Sequence, residues 1–377
     1  MNRIYLDNAA TTSVDTQVID VVCTSMLENN GNPSSTHQFG RTAKASVETA
    51  RKNIAKHLNV TASELVFTAG GTEADNLILH NAVVHLGAKT VITSLVEHHA
   101  VLHPLAHLKK THNITIEYVA VDDRGVVDLI DLERLLSQTS QQTLVSLMQV
   151  NNEVGNLLPM AAVAALCKQY KALFHSDTVQ AVGHFPVDLQ AIPVDFITAS
   201  AHKFHGPKGV GFAYFKKGFG VQPLFYGGAQ ENGARSSTEN VHAIVGMEKA
   251  LDIAIENLEK DTEAIGALKK YFIEQLEAKF LGVAFNGLSA ALEKSSYTIL
   301  SVRFPVVDDM LLFRLDMAGI AVSGGSACQS GSNKGSHVLQ AFLSEADAVH
   351  TSVRFSFSKY TTKEELDVVL GKLQELL

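Results

Sequence analysis

The sequence predicts an α/β protein built on a mostly parallel sheet, with a second, smaller domain following it. Two observations carry this. Between about Ala62 and Phe215 one pattern recurs five times: a short apolar, β-branched run ends in a polar cluster, and a helix-period segment follows. The five instances are ELVFTAGGTEADNL, TVITSLVEHHAV, TLVSLMQVNNEVGN, ALFHSDTVQ and DFITASAHKF. Strands alternating with helices read as βαβ units. Near Ile244 the rhythm changes. Ile244, Met247, Leu251, Ile255, Leu258, Ile265, Leu268, Phe272 and Leu276 fall mostly three or four apart, as on a long amphipathic helix or a pair of them.

Taken in order, the N-terminal YLDNAATT is too short to be a domain and is expected to pack against one. The five units come next. In each, the polar cluster follows the apolar run, which is the strand end where such sheets bind ligands. The helical stretch after Ile244 reads as the connection to the second domain. That domain holds expected strands at Thr298–Phe304 and Ser352–Phe357 with a Gly/Ser-rich segment around Cys328 between them. Its last helix opens at Thr362 and Glu365, spaced as a capping box. A length of 377 residues exceeds a comfortable single core. The expected division is 13–254 for a large cofactor-binding domain, and 1–12 with 255–377 for a small one.

Composition narrows the function class. A net charge of −8 with no basic run argues against nucleic-acid or anionic-membrane partners. No stretch approaches the ~20 apolar residues that span a membrane. Asp7 falls where a signal peptide would need apolar residues. Three widely spaced cysteines suit a reducing compartment, and the expectation is a cytoplasmic protein.

The strand-end clusters suggest a chemistry. Gly70-Gly71-Thr72, between a strand and a helix start, would offer backbone N–H groups and a hydroxyl to a phosphate, or simply cap a turn. The sequence there is neither a dinucleotide fingerprint nor a Walker A loop. Ser200, His202 and Lys203 close the apolar strand DFITA. A lysine there can lower its pKa and form a Schiff base, while a salt-bridged structural lysine stays open. Asp177, with Gln180 after it, can pair with a pyridinium nitrogen or fill a helix N-cap. Lys203, Asp177 and the glycine turn each supply one role for pyridoxal phosphate.

His98 could stack on such a ring or move protons, and Asn152 in VNNEVG could orient a ring hydroxyl or a carboxylate, or merely form a turn. His99, His103 and His107 are spaced i, i+4, i+8, but Pro104 intervenes and no H-E-x-x-H pattern is present; a solvated histidine face with no metal is expected. Cys23 and Cys167 sit on apolar helical stretches and read as buried small hydrophobes. Cys328, in GGSACQSGSNKGS, has no apolar cover. It is either an incidental surface thiol or one on an arm that travels to its chemistry.

At this point the chain resembles a known family along its whole length. YLDNAATT, GNPSSTH, TAGGTEADN, VEHHAV, VNNEVG, HSDTVQAVG, SAHKFHGPKG, GGAQENGARSST, GGSACQSGS and SVRFS occur in the order found in cysteine desulfurases of the NifS/IscS kind. The resemblance implies the fold-type I architecture of the class V aminotransferase group: a seven-stranded, mainly parallel sheet between helices plus a smaller α+β domain. It implies pyridoxal 5′-phosphate carried on Lys203, with Asp177 at the ring nitrogen, Gln180 at the ring hydroxyl and His98 on the ring face. Gly71, Thr72, Ser200 and His202 would hold the phosphate, joined by Thr238 from the other subunit of a homodimer. Asn152 would contact cofactor or substrate, and Arg354 would grip the carboxylate of L-cysteine.

Cys328 matches the cysteine that carries the persulfide to an acceptor, which in this family includes iron–sulfur scaffold proteins. Ala229, Asn232 and Ser237 in GGAQENGARSST depart from the usual GGGQERGxRSGT. A selenocysteine lyase or an aminotransferase would share Lys203 and Asp177, but an aminotransferase has no need of Cys328.

Overall fold

The computed structural model describes residues 3–324 and 335–377. Twelve strands occur among them: β1 (Ile4–Tyr5), β2 (Leu65–Thr68), β3 (Thr90–Thr93), β4 (Thr115–Tyr118), β5 (Thr143–Ser146), β6 (Leu173–Asp177), β7 (Phe196–Ser200), β8 (Gly211–Phe215), β9 (Ala284–Phe285), β10 (Ile299–Arg303), β11 (Ile320–Ala321) and β12 (Ser352–Ser356). The helices that matter most to the site are α1 (Thr16–Glu28), α2 (Gln38–His57), α3 (Gly71–His80), α4 (His99–His112), α5 (Leu129–Gln138), α6 (Met160–Gln169), α7 (Val241–Glu256) and α8 (Leu258–Lys279).

The main sheet has the order β2-β8-β7-β6-β5-β3-β4. Strands β4, β3, β5, β6 and β7 are parallel; β8 runs antiparallel to both β7 and β2. Two reversals restore direction, so β2 points the same way as β7. The polar clusters after β2, β3, β5, β6 and β7 therefore leave one edge of the sheet. Every residue of β2, β3, β5, β6, β7 and β8 is buried, as sheets covered on both faces require. Only β4, at the edge, stays open to solvent.

Covering one face, Val47, Ile54, Phe174, Ile197, Phe212 and Met247 belong to one apolar cluster that reaches from α2 to α7. A second cluster lies outside the sheet. It joins Ile4 and Leu6 to Phe272 and Leu276 of α8, Val302 of β10, Phe355 of β12 and Leu366 of the last helix. Phe272 meets Phe355 edge-on at 5.1 Å. The expected helix pair is present as α7 and α8, which break at Asn257; the first packs in one cluster and the second in the other. The capping box at Thr362 and Glu365 also forms.

The segment read as too short to be a domain packs in the second core and reaches the main sheet through hydrogen bonds. β1 pairs in parallel with β11, while Thr12 N–H donates to the His202 carbonyl beside the main sheet. One amine is enclosed in the second core. The Lys269 amine, on α8, donates to Ser295 Oγ at 3.0 Å and Ser296 O at 2.7 Å, and burial pushes it down to about 7. Among the described residues no helix is long and apolar enough to cross a membrane.

Candidate active site

The five strand ends open onto one cavity of about 200 Å³. From β2 come Gly71 and Thr72. Gly71 opens α3, and a Cβ there would stand 2.6 Å from Val179 Cγ2 and 3.9 Å from Ser200 Cβ. The missing side chain is what lets the turn press against the neighbouring strand ends. The first N–H groups of a helix have no acceptor within it, and here they lie beside the Thr72 and Ser200 hydroxyls at the cavity wall. From β3 comes His98, the N-cap of α4. Its Nδ1 accepts from Ala100 N–H at 3.1 Å, which leaves the ring proton on Nε2. Burial, with Lys203 and His337 adding repulsion, holds the imidazole below its ordinary pKa despite Asp177.

From β6 come Asp177 and Gln180. Asp177 Oδ1 accepts from Val179 N–H at 2.9 Å and from Thr198 Oγ1 at 3.4 Å, so the capping geometry and the cavity-facing carboxylate coexist. Gln180 Nε2 donates to Ala9 O at 2.8 Å. From β7 come Ser200, His202 and Lys203. The His202 ring, 3.2 Å from Thr11 Oγ1, is pushed down to about 4 by burial and then by Lys203 and Lys208. Lys203 Nζ donates to Ala9 O at 2.6 Å and Ala10 O at 3.0 Å.

The opposite wall belongs to the second core. Arg354, 3% exposed on β12, donates from Nη2 to Asp7 Oδ1 and from Nη1 to Asn152 O, each at 2.8 Å. Among the described residues, its Nε and the Asn152 Oδ1 are buried without a partner. Buried polar atoms are rarely left so, and these two face a need for a ligand with both donor and acceptor groups.

One expected site residue does not join this cavity. Thr238 is exposed on the surface, outside the lining. Cys328 lies outside the described residues. Described residues on either side of it in sequence are tied down: Ser323 Oγ donates to Asp7 Oδ1 at 2.9 Å, and Ser336 Oγ donates to Glu153. The departures in GGAQENGARSST leave a mark. Asn232 and Ser237 both have positive φ, 54° and 102°, and at Ser237 that is a strained conformation for a side chain. The segment is pinned all the same, by a buried bidentate pair between Arg51 and Glu231 at 2.7 Å and by Arg235 on Glu73.

Cys23 must be corrected. It is exposed, whereas Cys167 is buried with its thiol pushed up to about 12. On α1 the inward residues are Val18 and Ser25, and Cys23 falls with Ile19, Met26 and Leu27 on the outward side. Along α4, His103 and His107 are exposed as expected, while His99 is half-buried between the rings of His103 at 4.5 Å and His337 at 4.3 Å.

Sequence reasoning missed three contributors. The carbonyls of Ala9 and Ala10 act through the backbone, which side-chain patterning does not record. Asp75, in the cavity lining, reads in the sequence as one more acid of a helix start. Glu97, 1% exposed, accepts from Met148 N–H at 2.8 Å and lies next to His98.

The donor set fits a small ring with an anionic group and a basic nitrogen. Helix N–H groups and hydroxyls stand ready for the anion, a carboxylate for the nitrogen, and a lysine amine lines the same cavity. The cavity is smaller than the ~300–1,000 Å³ of drug-sized sites, as a single substituted ring needs.

Comparison with known proteins agrees with that chemistry. Residues 4–369 match the aminotransferase class-V family. The chain is 41% identical over 380 residues to the cysteine desulfurase IscS of Dictyoglomus turgidum, covering 100% of this chain and 94% of the relative. A solved NifS-like protein superposes with a TM-score of 0.91 at 38% identity, covering 100% of this chain and 99% of that one. A structure of SspA in complex with cysteine superposes with a TM-score of 0.82 at 28% identity, covering 96% and 100%.

Proposed function

The chain belongs to the class-V aminotransferase family, and on that premise we propose that it works as an L-cysteine desulfurase dependent on pyridoxal phosphate. The observation that carries the reading is the convergence of Lys203, Asp177 and Arg354 on one cavity, in a chain similar over its whole length to cysteine desulfurases. Residues 13–254 are taken as the cofactor-binding domain, and 1–12 with 255–377 as the small one.

Gly71, Thr72, Ser200 and His202 would hold the phosphate, with Thr238 of a second copy. Asp177 would serve the ring nitrogen, Gln180 the ring hydroxyl and His98 the ring. When bound, the cofactor supplies an electron sink for the carbanion left after loss of the substrate α-proton. Lys203 would anchor the cofactor, and its Nζ would take that proton. Arg354 receives the substrate carboxylate on its fork, and Asn152 offers Oδ1 to the substrate or cofactor. The Cys328 thiolate attacks the sulfur of cysteine. The carbon–sulfur bond breaks, a sulfur–sulfur bond forms, and alanine and a Cys328 persulfide result. The persulfide then passes to an acceptor protein, an iron–sulfur scaffold being one class.

A cytoplasmic homodimer completes the reading. Ile19, Met26 and Leu27 of α1 and Phe39 of α2 are apolar and exposed, which supports a covering partner. The test is spectral and chemical. The purified protein should be yellow with pyridoxal phosphate, change spectrum with L-cysteine, and release alanine without a keto-acid acceptor. Cys328→Ser should keep both spectra and lose sulfur release by orders of magnitude, because a hydroxyl is a far weaker nucleophile than a partly ionised thiol. Unimpaired release by that variant, or a persulfide on Cys23, would remove Cys328 from the mechanism.

A further inference from the structure

The turn that leaves β6 does more than present Asp177 and Gln180. Residues 178–185 fold back through successive main-chain hydrogen bonds, from Ala181 and Val182 N–H to Thr178 O and from His184 and Phe185 N–H to Ala181 O. Gly183 closes the turn at a φ of 81°, in the left-handed region that glycine enters freely. A Cβ there would stand 2.5 Å from Phe204 Cβ, so the turn lies directly on the main chain that follows Lys203.

That approach sets His184, which the chemistry above does not use, against the lysine. Its Nε2 lies 2.8 Å from the Lys203 carbonyl oxygen. A carbonyl only accepts, so Nε2 carries a proton whatever the charge of the ring. Nδ1 lies 3.4 Å from the Tyr297 hydroxyl, a long contact, and the two rings meet edge-on with centroids 6.1 Å apart. Tyr297, 7% exposed, belongs to the second core. The same turn reaches the other end of the lysine too, because Gln180 Nε2 and Lys203 Nζ share the Ala9 carbonyl. A flexible four-carbon stem delivers its amine to one place only from a fixed origin. Contacts at Nζ cannot fix that origin while the amine is at work in the cavity. The contact at the carbonyl can.

We propose that His184 is a positioning residue: through Nε2–H it fixes the main chain of Lys203, with Tyr297 bracing the ring from the second core. The proposal rests on the role given to Lys203 above. Its first test needs no cofactor. In cofactor-free protein with nitrogen-15-labelled histidine at alkaline pH, the ring signal lost in His184→Gln should be that of a neutral imidazole protonated on Nε2. A proton on Nδ1 instead would overturn the proposal.

The second test reads the amine itself. Brief treatment of cofactor-free protein with acetic anhydride, followed by peptide mass spectrometry, gives an acylation rate for each lysine. In His184→Leu, which keeps bulk but loses the donor, the Lys203 amine should leave the Ala9 and Ala10 carbonyls more often. Its acylation should rise about tenfold, the scale of one lost hydrogen bond. His184→Gln, whose amide can still donate, should match wild type. Lys359 is the internal control, since it lines the same small cavity as His184 and is held on Asp15 at 2.6 Å. An equal rise at Lys359 would reduce His184 to general packing and overturn the proposal, as would Leu and Gln behaving alike. If the Leu variant does not fold, the ring signal and the Gln rate decide. A borohydride-reduced adduct on another lysine would overturn the catalytic role of Lys203 alone, since the acylation result stands apart from it.

Discussion

The two walls of the cavity are built differently. One is the edge of a single sheet. Gly71, His98, Asp177 and Lys203 follow four strands that are buried throughout and hydrogen-bonded in one order. The other wall is assembled from distant pieces: Arg354 on β12, the loop of Asn152, and Asp7 in the N-terminal segment, joined by two hydrogen bonds of 2.8 Å from one guanidinium. The sheet wall is positioned by its core. The Arg354 wall is positioned by polar contacts between two cores. In the proposed reaction the first wall holds the cofactor, which stays, and the second holds the substrate, which must enter and leave.

The largest test of that division is Lys203→Ala. Absorption from the lysine-bound cofactor should vanish and turnover should fall about 10⁴-fold or more, beyond what loss of a general base alone removes. A borohydride-reduced adduct on another lysine would break the assignment. A smaller effect is expected on the other wall. Arg354→Lys keeps the charge but loses the fork, and should lower kcat/KM about 10- to 100-fold, mainly through KM, with cofactor absorbance unchanged. Loss of cofactor in that variant would show that the walls are not separable.

The smallest effect belongs to the second core alone. Lys269 releases its proton at about 7 in the folded state, against 10.5 as its ordinary value. Between those values the unfolded chain binds the extra proton, so stability rises with pH across that window. The slope is about 1.4 kcal/mol per pH unit at most. Denaturation of wild type and Lys269→Met over pH 7 to 9 should show that slope in the difference. A flat difference would mean that the amine stays charged.

Legibility in the sequence follows the same division. The sheet wall could be read because each polar cluster interrupts an apolar run at a strand end, and five interruptions in step declare an edge. Asp75 could not, since Glu73-Ala74-Asp75 looks like any acidic helix start; only the fold brings it toward Asp177 and His175. Arg354 was assigned through resemblance, because SVRFS as a strand does not say which cavity it meets. Cys23 failed for a local reason. In VIDVVCTSML both sides of α1 carry apolar residues, so periodicity identifies a helix without saying which side is buried.

The N-terminal segment has one more consequence, for the order in which the molecule assembles. Asn8 Nδ2 donates to Ser356 O at 2.8 Å across 348 residues of sequence, and the next two residues supply the carbonyls that receive the Lys203 amine. Contacts so far apart are slow to form, because loop closure must precede them. During synthesis the sheet wall can be complete once residue 215 has emerged, while residues 8–10 wait for β12. Lys203 then reaches its mature surroundings last, and uptake of cofactor by a refolding chain would time the closing step of folding.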